Sequence, residues 1–304
     1  MTIKRHPQGM LGPCDTPWNE RYELDEPVFR RHVEGMLDAG FREVYVMGTA
    51  GEGYAMTDSQ FQNVVDVFVD VTDRPGVTPQ VGVISLSTGH IIERLGYVYD
   101  KGVRMLQISL PSWGPLSDSE MITFFKTVCG SFPDAKFLHY NIVRTKRVLN
   151  GDDYRRVVDE IPNLVATKNS TYDMGFIRDI MLKAPELQHF FLQHSFPYGC
   201  LHGECSLLSS FAGIFPDFTR RLFEAGRDGD VAELFDIQRR AIEVGEGLFS
   251  GVRGQHIDGA YDKILTNIVD PKFSRRLLPP YESVPEEVAA RAKAYYEQHC
   301  RDLS

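Results

Sequence analysis

The chain has 304 residues, 42% of them hydrophobic and 25% charged, which is the composition of an ordinary folded domain that needs no disulfide or metal to hold its core. Its net charge of −9 comes from acids and bases mixed along the chain, so the basic stripe that phosphate neutralisation requires is missing and nucleic acid is not an expected partner. Five scattered cysteines without a CxxC pair, no apolar leader and no run near the length of a membrane span lead us to expect free thiols, a cytoplasmic location and no membrane association.

Short apolar runs alternate with amphipathic segments from about residue 10 to about residue 225. The expected strands are Met10–Cys14, Glu43–Met47, Pro79–Ile84, Arg104–Ser109, Lys136–Tyr140, Leu164–Lys168, Phe190–Gln193 and Glu204–Leu208. Most are apolar and rich in β-branched or aromatic residues, as strands buried on both faces should be. Asp25 and Pro27 open a helix with Phe29, Val33, Met36 and Leu37 on one face. Thr57 with Gln60, and Ser117 with Glu120, read as capping boxes ahead of further amphipathic helices. Gly40, Gly102 and Gly130 stand where helices should stop.

Eight strand–helix units at this spacing point to an α/β protein of the closed (β/α)₈ TIM-barrel type, spanning residues 1–228. Beyond that point strand signals end. Residues 229–304 read as a helical extension, with helices near 230–250, 257–268 and 285–300, packed on the barrel or on a neighbouring subunit.

In such a barrel, reactive groups collect at the C-terminal ends of the strands. Three strand ends carry polar residues: Gly48-Thr49-Ala50-Gly51-Glu52, His139-Tyr140-Asn141 and Thr167-Lys168-Asn169. A lysine ending an apolar strand either emerges into solvent or keeps a depressed pKa and attacks a ketone to form a Schiff base. Tyr140 either packs its ring or carries protons for a reacting carbonyl. Thr49 and its glycine turn form a tight loop whose hydroxyl and N–H groups suit a carboxylate.

Together these motifs resemble the dihydrodipicolinate synthase / N-acetylneuraminate lyase family of class I aldolases, over nearly the whole barrel. The family's glycine–threonine–threonine–glycine–glutamate signature stands here as Gly48-Thr49-Ala50-Gly51-Glu52, its tyrosine–asparagine pair as Tyr140-Asn141, and its Schiff-base strand as Leu164 to Asn169. The resemblance implies that Lys168 forms the imine, Tyr140 relays the proton, and Thr49 lies on that relay and orients the substrate carboxylate beside Gly48 and Ala50. It also implies that Cys205, in a segment similar to the family's glycine-rich eighth strand, lines the pocket through its carbonyl. Glu52 is read as holding its loop. A homotetramer, arranged as a dimer of dimers, and no cofactor follow from the same resemblance. The histidines show no ligand spacing, so no metal is expected.

The chain departs from the family pattern in four places. Ala50 removes one hydroxyl from the carboxylate turn. The loop Leu110-Pro111-Ser112-Trp113-Gly114 lacks the tyrosine that dihydrodipicolinate synthases place in a neighbouring site, and is similar instead to the hydratase-aldolase branch, which cleaves aromatic 2-keto acids. Trp113 there either faces substrate or packs its loop. After Tyr140-Asn141 the usual proline is missing, and Arg144 or Arg147 either binds a second carboxylate or sits solvated. His194, in a turn that replaces an acidic one, either faces substrate or is structural.

The leading expectation is a lyase that makes or breaks a C–C bond next to a 2-keto acid, pyruvate first, with an aldehyde as the second reactant. A hydro-lyase removing water from a deoxy-keto sugar acid through the same imine is the alternative. A non-catalytic keto-acid-binding barrel comes third, disfavoured by an intact Lys168–Tyr140 pair.

Overall fold

The computed structural model describes residues 3–303. Eight parallel strands close on themselves in chain order: β1 (Met10–Cys14), β2 (Glu43–Val46), β3 (Thr78–Val83), β4 (Met105–Ile108), β5 (Lys136–Asn141), β6 (Leu164–Asn169), β7 (Gln188–Phe191) and β8 (Ser206–Leu208), with β8 pairing back to β1. The helices that cover them are α1 (Glu26–Asp38), α2 (Asp58–Thr72), α3 (Thr88–Asp100), α4 (Asp118–Gly130), α5 (Gly151–Glu160), α6 (Met174–Lys183), the short α7 (Phe196–Cys200) and α8 (Pro216–Asp228). Three more follow: α9 (Val231–Phe249), α10 (Asp258–Val269) and α11 (Glu286–His299). This is a (β/α)₈ barrel with added C-terminal helices.

Local chemistry explains these boundaries. Thr57 and Ser117 cap α2 and α4 in reciprocal capping boxes with Gln60 and Glu120. Gly40 and Gly102 follow α1 and α3 with φ of 93° and 91°, a left-handed conformation that glycine adopts without a Cβ clash. Alternation along the strands sends one set of side chains (Leu11, Tyr45, Met105, Leu138, Ala166, Phe190 and Leu208) into a small core of their own, and the other set against the helices.

Two strands differ from expectation by two residues at an end, the others by one at most. β7 begins at Gln188 rather than Phe190, because its first two residues are polar yet fully buried. The Gln188 side chain pairs with the Ser206 hydroxyl, and His189 lies between the Thr167 hydroxyl at 2.7 Å and the Ala184 carbonyl at 3.0 Å. β8 is shorter than expected and starts at Ser206.

The C-terminal helices pack on the barrel in this chain. α9 lies against α8 and α11, and α10 crosses to the loop after β2. There Glu52, fully buried, pairs with buried Lys263 of α10 and accepts from the Trp18 indole N–H (2.8 Å) and the Leu278 backbone N–H (2.6 Å). Every oxygen of this buried carboxylate therefore has a donor, which is the condition for burying an ion pair. Glu52 thus ties the β2 loop to α10. No helix among the described residues is long and apolar enough to cross a membrane.

Candidate active site

At the C-terminal end of the barrel a cavity of about 340 Å³ is lined by strand ends and by α10, and Lys168 lies in its wall. Lys168 is only 6% exposed, and its Nζ donates to the Tyr45 hydroxyl at 2.8 Å. The same nitrogen sits 4.1 Å from the centre of the Tyr140 ring. Burial lowers the Lys168 pKa to about 8, and the negative charges of Asp258 and Asp262 only partly oppose it. A lysine in this condition keeps a substantial neutral fraction near physiological pH, as a nucleophilic amine must.

Register explains why lysine and tyrosine meet. Tyr140 of β5 and Lys168 of β6 are directly paired, so both side chains point the same way from neighbouring strands. His139, one residue earlier, points outward to the Tyr154 hydroxyl at 2.9 Å. The Thr49 hydroxyl donates to the Tyr140 hydroxyl at 3.2 Å. Burial pushes the Tyr140 phenol up to about 12, while hydrogen bonds from Thr49 and Ser170 pull the other way.

The loop that delivers Thr49 is strained at both ends. Met47 and Glu52 are non-glycine residues with φ of 64° and 57°. Gly48 and Gly51 cannot be replaced freely, since a Cβ on the first would approach the Tyr45 ring to 2.7 Å and on the second the Met47 nitrogen to 2.6 Å. The glycines therefore let Tyr45 and Thr49 converge on the lysine–tyrosine pair.

The chain's match to the family model described as "Dihydrodipicolinate synthetase family" runs from residue 6 to residue 297. The chain belongs to this family. Among its curated relatives, a 4-hydroxy-tetrahydrodipicolinate synthase of Exiguobacterium sibiricum is 25% identical over 262 residues, covering 85% of this chain and 88% of that protein. A DapA-like lyase of Thermococcus kodakarensis is 22% identical over 298 residues, covering 94% and 98%. Among solved structures, YagE of E. coli K12, a prophage protein of the dihydrodipicolinic acid synthase family crystallised with pyruvate, superposes with a TM-score of 0.87 at 19% identity, covering 98% of this chain and 99% of that one. Dihydrodipicolinate synthetase family members are lyases, and this chain is an enzyme of that kind.

Against this family frame, the expected site residues separate into two groups. Lys168, Tyr140, Thr49 and Ala50 line one cavity, and Gly48 lies directly behind Tyr45. Three others need correction. Cys205 precedes β8 and so lies at the opposite end of the barrel from Lys168; its carbonyl accepts from Gln8 Nε2 at 2.9 Å, and it does not line the cavity. Trp113 is 81% exposed and neither lines the cavity nor packs its ring into the core. Arg144 grips Asp258 with both terminal nitrogens, at 3.1 and 2.7 Å, and so is not free for a second substrate carboxylate. Arg147 ties loops together through Asp118, Asp153 and the Leu116 carbonyl. His194 stacks on Tyr172 at 3.9 Å, and burial lowers its pKa to about 4.

The sequence reading missed Tyr45, although inward alternation from Glu43 and the glycine turn after it carried the signal. It also missed Asp15, Asp258 and Asp262, which line the cavity. Asp15 directly follows an apolar strand and was readable on that ground. The α10 carboxylates gave no local signal at all. Among the described residues, no group of three His, Cys, Asp or Glu side chains is placed to hold a metal ion.

Proposed function

We propose that the chain is a Schiff-base lyase that makes or breaks the C–C bond next to a 2-keto acid, with pyruvate as the common product or donor. The observation that carries this reading is the buried Lys168 amine, with its lowered pKa, set against the Tyr140 ring and held by Tyr45. Neutral Lys168 attacks the keto carbon to give a carbinolamine. Tyr140 hands a proton to the departing oxygen, water leaves, and an iminium forms. In the cleavage direction the bond between the α- and β-carbons breaks, its electron pair passes into the iminium to give an enamine, and the hydroxyl proton of the departing aldehyde passes to the relay. Protonation of the enamine's α-carbon and hydrolysis of the imine then release pyruvate and free Lys168. Thr49 donates to the Tyr140 oxygen, which favours the transient phenolate that this relay requires. Thr49, Gly48 and Ala50 orient the keto acid's carboxylate.

The pyruvate bound to the related YagE supports the choice of keto acid. Elimination of water from a deoxy-keto sugar acid would use the same imine, and product analysis distinguishes it. The rest of the reading is a cytoplasmic homotetramer that works without cofactor or metal, with residues 1–228 as the barrel and 229–304 as its helical extension. Borohydride reduction in the presence of pyruvate, followed by peptide mass spectrometry, tests the proposal. An adduct on Lys168 that is lost in Lys168→Ala is expected; no adduct with pyruvate or with larger 2-keto acids would sink the reading.

A further inference from the structure

The keto-acid head is served by Lys168, Tyr140 and Thr49, while α10 decides what can lie beyond it. Asp258, Tyr261, Asp262, Leu265 and Thr266 all line the cavity, at the three- and four-residue spacing that puts them on one face of the helix. Asp15 stands in the same wall and accepts a hydrogen bond from the Thr266 hydroxyl at 2.7 Å. Asp262 has no side-chain hydrogen bond or ion pair among the described residues, and burial together with Asp15 and Asp258 raises its pKa. Lys168 is the only lysine or arginine among the described lining residues.

The remaining cation nearby is already engaged. Arg144 Nη1 and Nη2 each donate to a different Asp258 oxygen, which is the forked geometry by which arginine binds a carboxylate. A substrate with a second carboxylate would have to displace Asp258 from this fork. It would also have to approach Asp15, and Asp258 itself, without compensation. Juxtaposed like charges are a recognised way of rejecting a partner.

We propose that Asp258 is a specificity-determining residue: by occupying Arg144 and adding its own carboxylate to the cavity wall, it excludes 2-keto acids whose far end is a second carboxylate and admits those whose far end is uncharged. This inference rests on the Schiff-base reading of Lys168.

The test compares 2-oxoglutarate with its 5-methyl ester, two probes with the same keto-acid head that differ in charge only at the far end. Rates of borohydride trapping on Lys168 are measured for both, with pyruvate in parallel. The unsubstituted enzyme should trap the ester more efficiently by roughly tenfold or more. Asp258→Asn frees Arg144 and should narrow or invert that ratio. Arg144→Met leaves Asp258 unpaired and should widen it. A wall with a purely structural role would change all three keto acids in proportion and leave the ratio fixed in both variants. That result, or a wild-type preference for 2-oxoglutarate, overturns the proposal. If Asp258→Asn does not fold, the direction of change in Arg144→Met decides by itself. Pyruvate trapping separates the two levels of argument: an adduct with pyruvate and no preference between the probes defeats this inference alone, whereas no adduct with any keto acid defeats the Schiff-base reading and this inference with it.

Discussion

Two lysines are buried among the described residues, one on a barrel strand and one on α10, and they differ in what surrounds the ammonium group. Lys263 is fully buried against the Glu52 carboxylate and also donates to the Arg276 carbonyl at 2.6 Å. Lys168 is 6% exposed and, among the described residues, has only the Tyr45 phenol as a side-chain hydrogen-bond partner, with aromatic faces around it. Burial lowers the pKa of both, but for Lys263 the Glu52 charge pushes back from contact distance, whereas for Lys168 the opposing charges of Asp258 and Asp262 act from across a cavity. A buried cation with a carboxylate in contact is part of the architecture. One without such a partner, facing an open cavity, is ready to lose its proton and react.

Substitution breaks this comparison most sharply at Lys168. Lys168→Ala should abolish the pyruvate adduct and lower turnover by on the order of 10⁴-fold or more, since no other primary amine lines the wall among the described residues. Tyr140→Phe keeps the packing and the amine but removes the proton relay. It should lower kcat by roughly 10²- to 10⁴-fold. The adduct should still form with pyruvate, more slowly, and single-turnover trapping checks this. A Tyr140→Phe enzyme with unchanged kcat would remove the tyrosine from the relay.

The architectural lysine should respond in the opposite way. Lys263→Met strands the Glu52 carboxylate in the interior and should cost about 3–5 kcal/mol of stability, measured by denaturant unfolding. Lys168→Met should instead stabilise the protein. Its folded-state pKa of about 8 lies below the usual 10.5, so the folded chain holds this proton less tightly than the unfolded chain does. Below about pH 8 both states are protonated and the full penalty is present; it fades as pH rises from there through 10.5. Removing the charge at neutral pH should therefore raise stability by a few kcal/mol. A destabilised Lys168→Met would mean that the lysine contributes to the fold as Lys263 does.

How far the sequence revealed all this depended on how local each signal was. Capping boxes at Thr57 and Ser117, and strands such as the one expected at Leu164–Lys168, are written within a few residues; the boxes appear where expected and the strand runs one residue further, to Asn169. Lys168 and Tyr140 stand next to the last residues of their strands, which left a structural reading of each open; their roles were legible through the resemblance carried by their motifs together, and parallel pairing sets the two side by side. Cys205 misled because the resemblance of its segment to the family's glycine-rich eighth strand implied a place in the pocket, while the residue leads into the opposite end of that strand. Tyr45 looked like one more apolar strand residue. Asp258 meets Arg144 across 114 positions, and only the packing of α10 over the barrel mouth brings the two together. Polar residues on a helix face usually read as solvated, and nothing near Asp258 or Asp262 in the sequence says otherwise.

The smallest effect probes the difference between the lysines most directly. Only the neutral amine attacks, so the rate of imine formation with pyruvate should rise about tenfold per pH unit below the Lys168 pKa and level off above it. That bend should fall near pH 8, because burial has pulled the lysine down from 10.5. The Tyr45 oxygen accepts the Nζ hydrogen bond and so favours the charged form. Tyr45→Phe should therefore move the bend to lower pH, with the plateau rate little changed. Rapid-quench borohydride trapping across pH 6–10.5 would read both positions. A bend that stays near 10.5 in the wild-type enzyme would show a solvated lysine, and the contrast with Lys263 would then lie in packing alone. A bend near 8 that moves down in Tyr45→Phe would show that the burial of Lys168, relieved by the Tyr45 phenol and by the charges of Asp258 and Asp262, sets its reactivity.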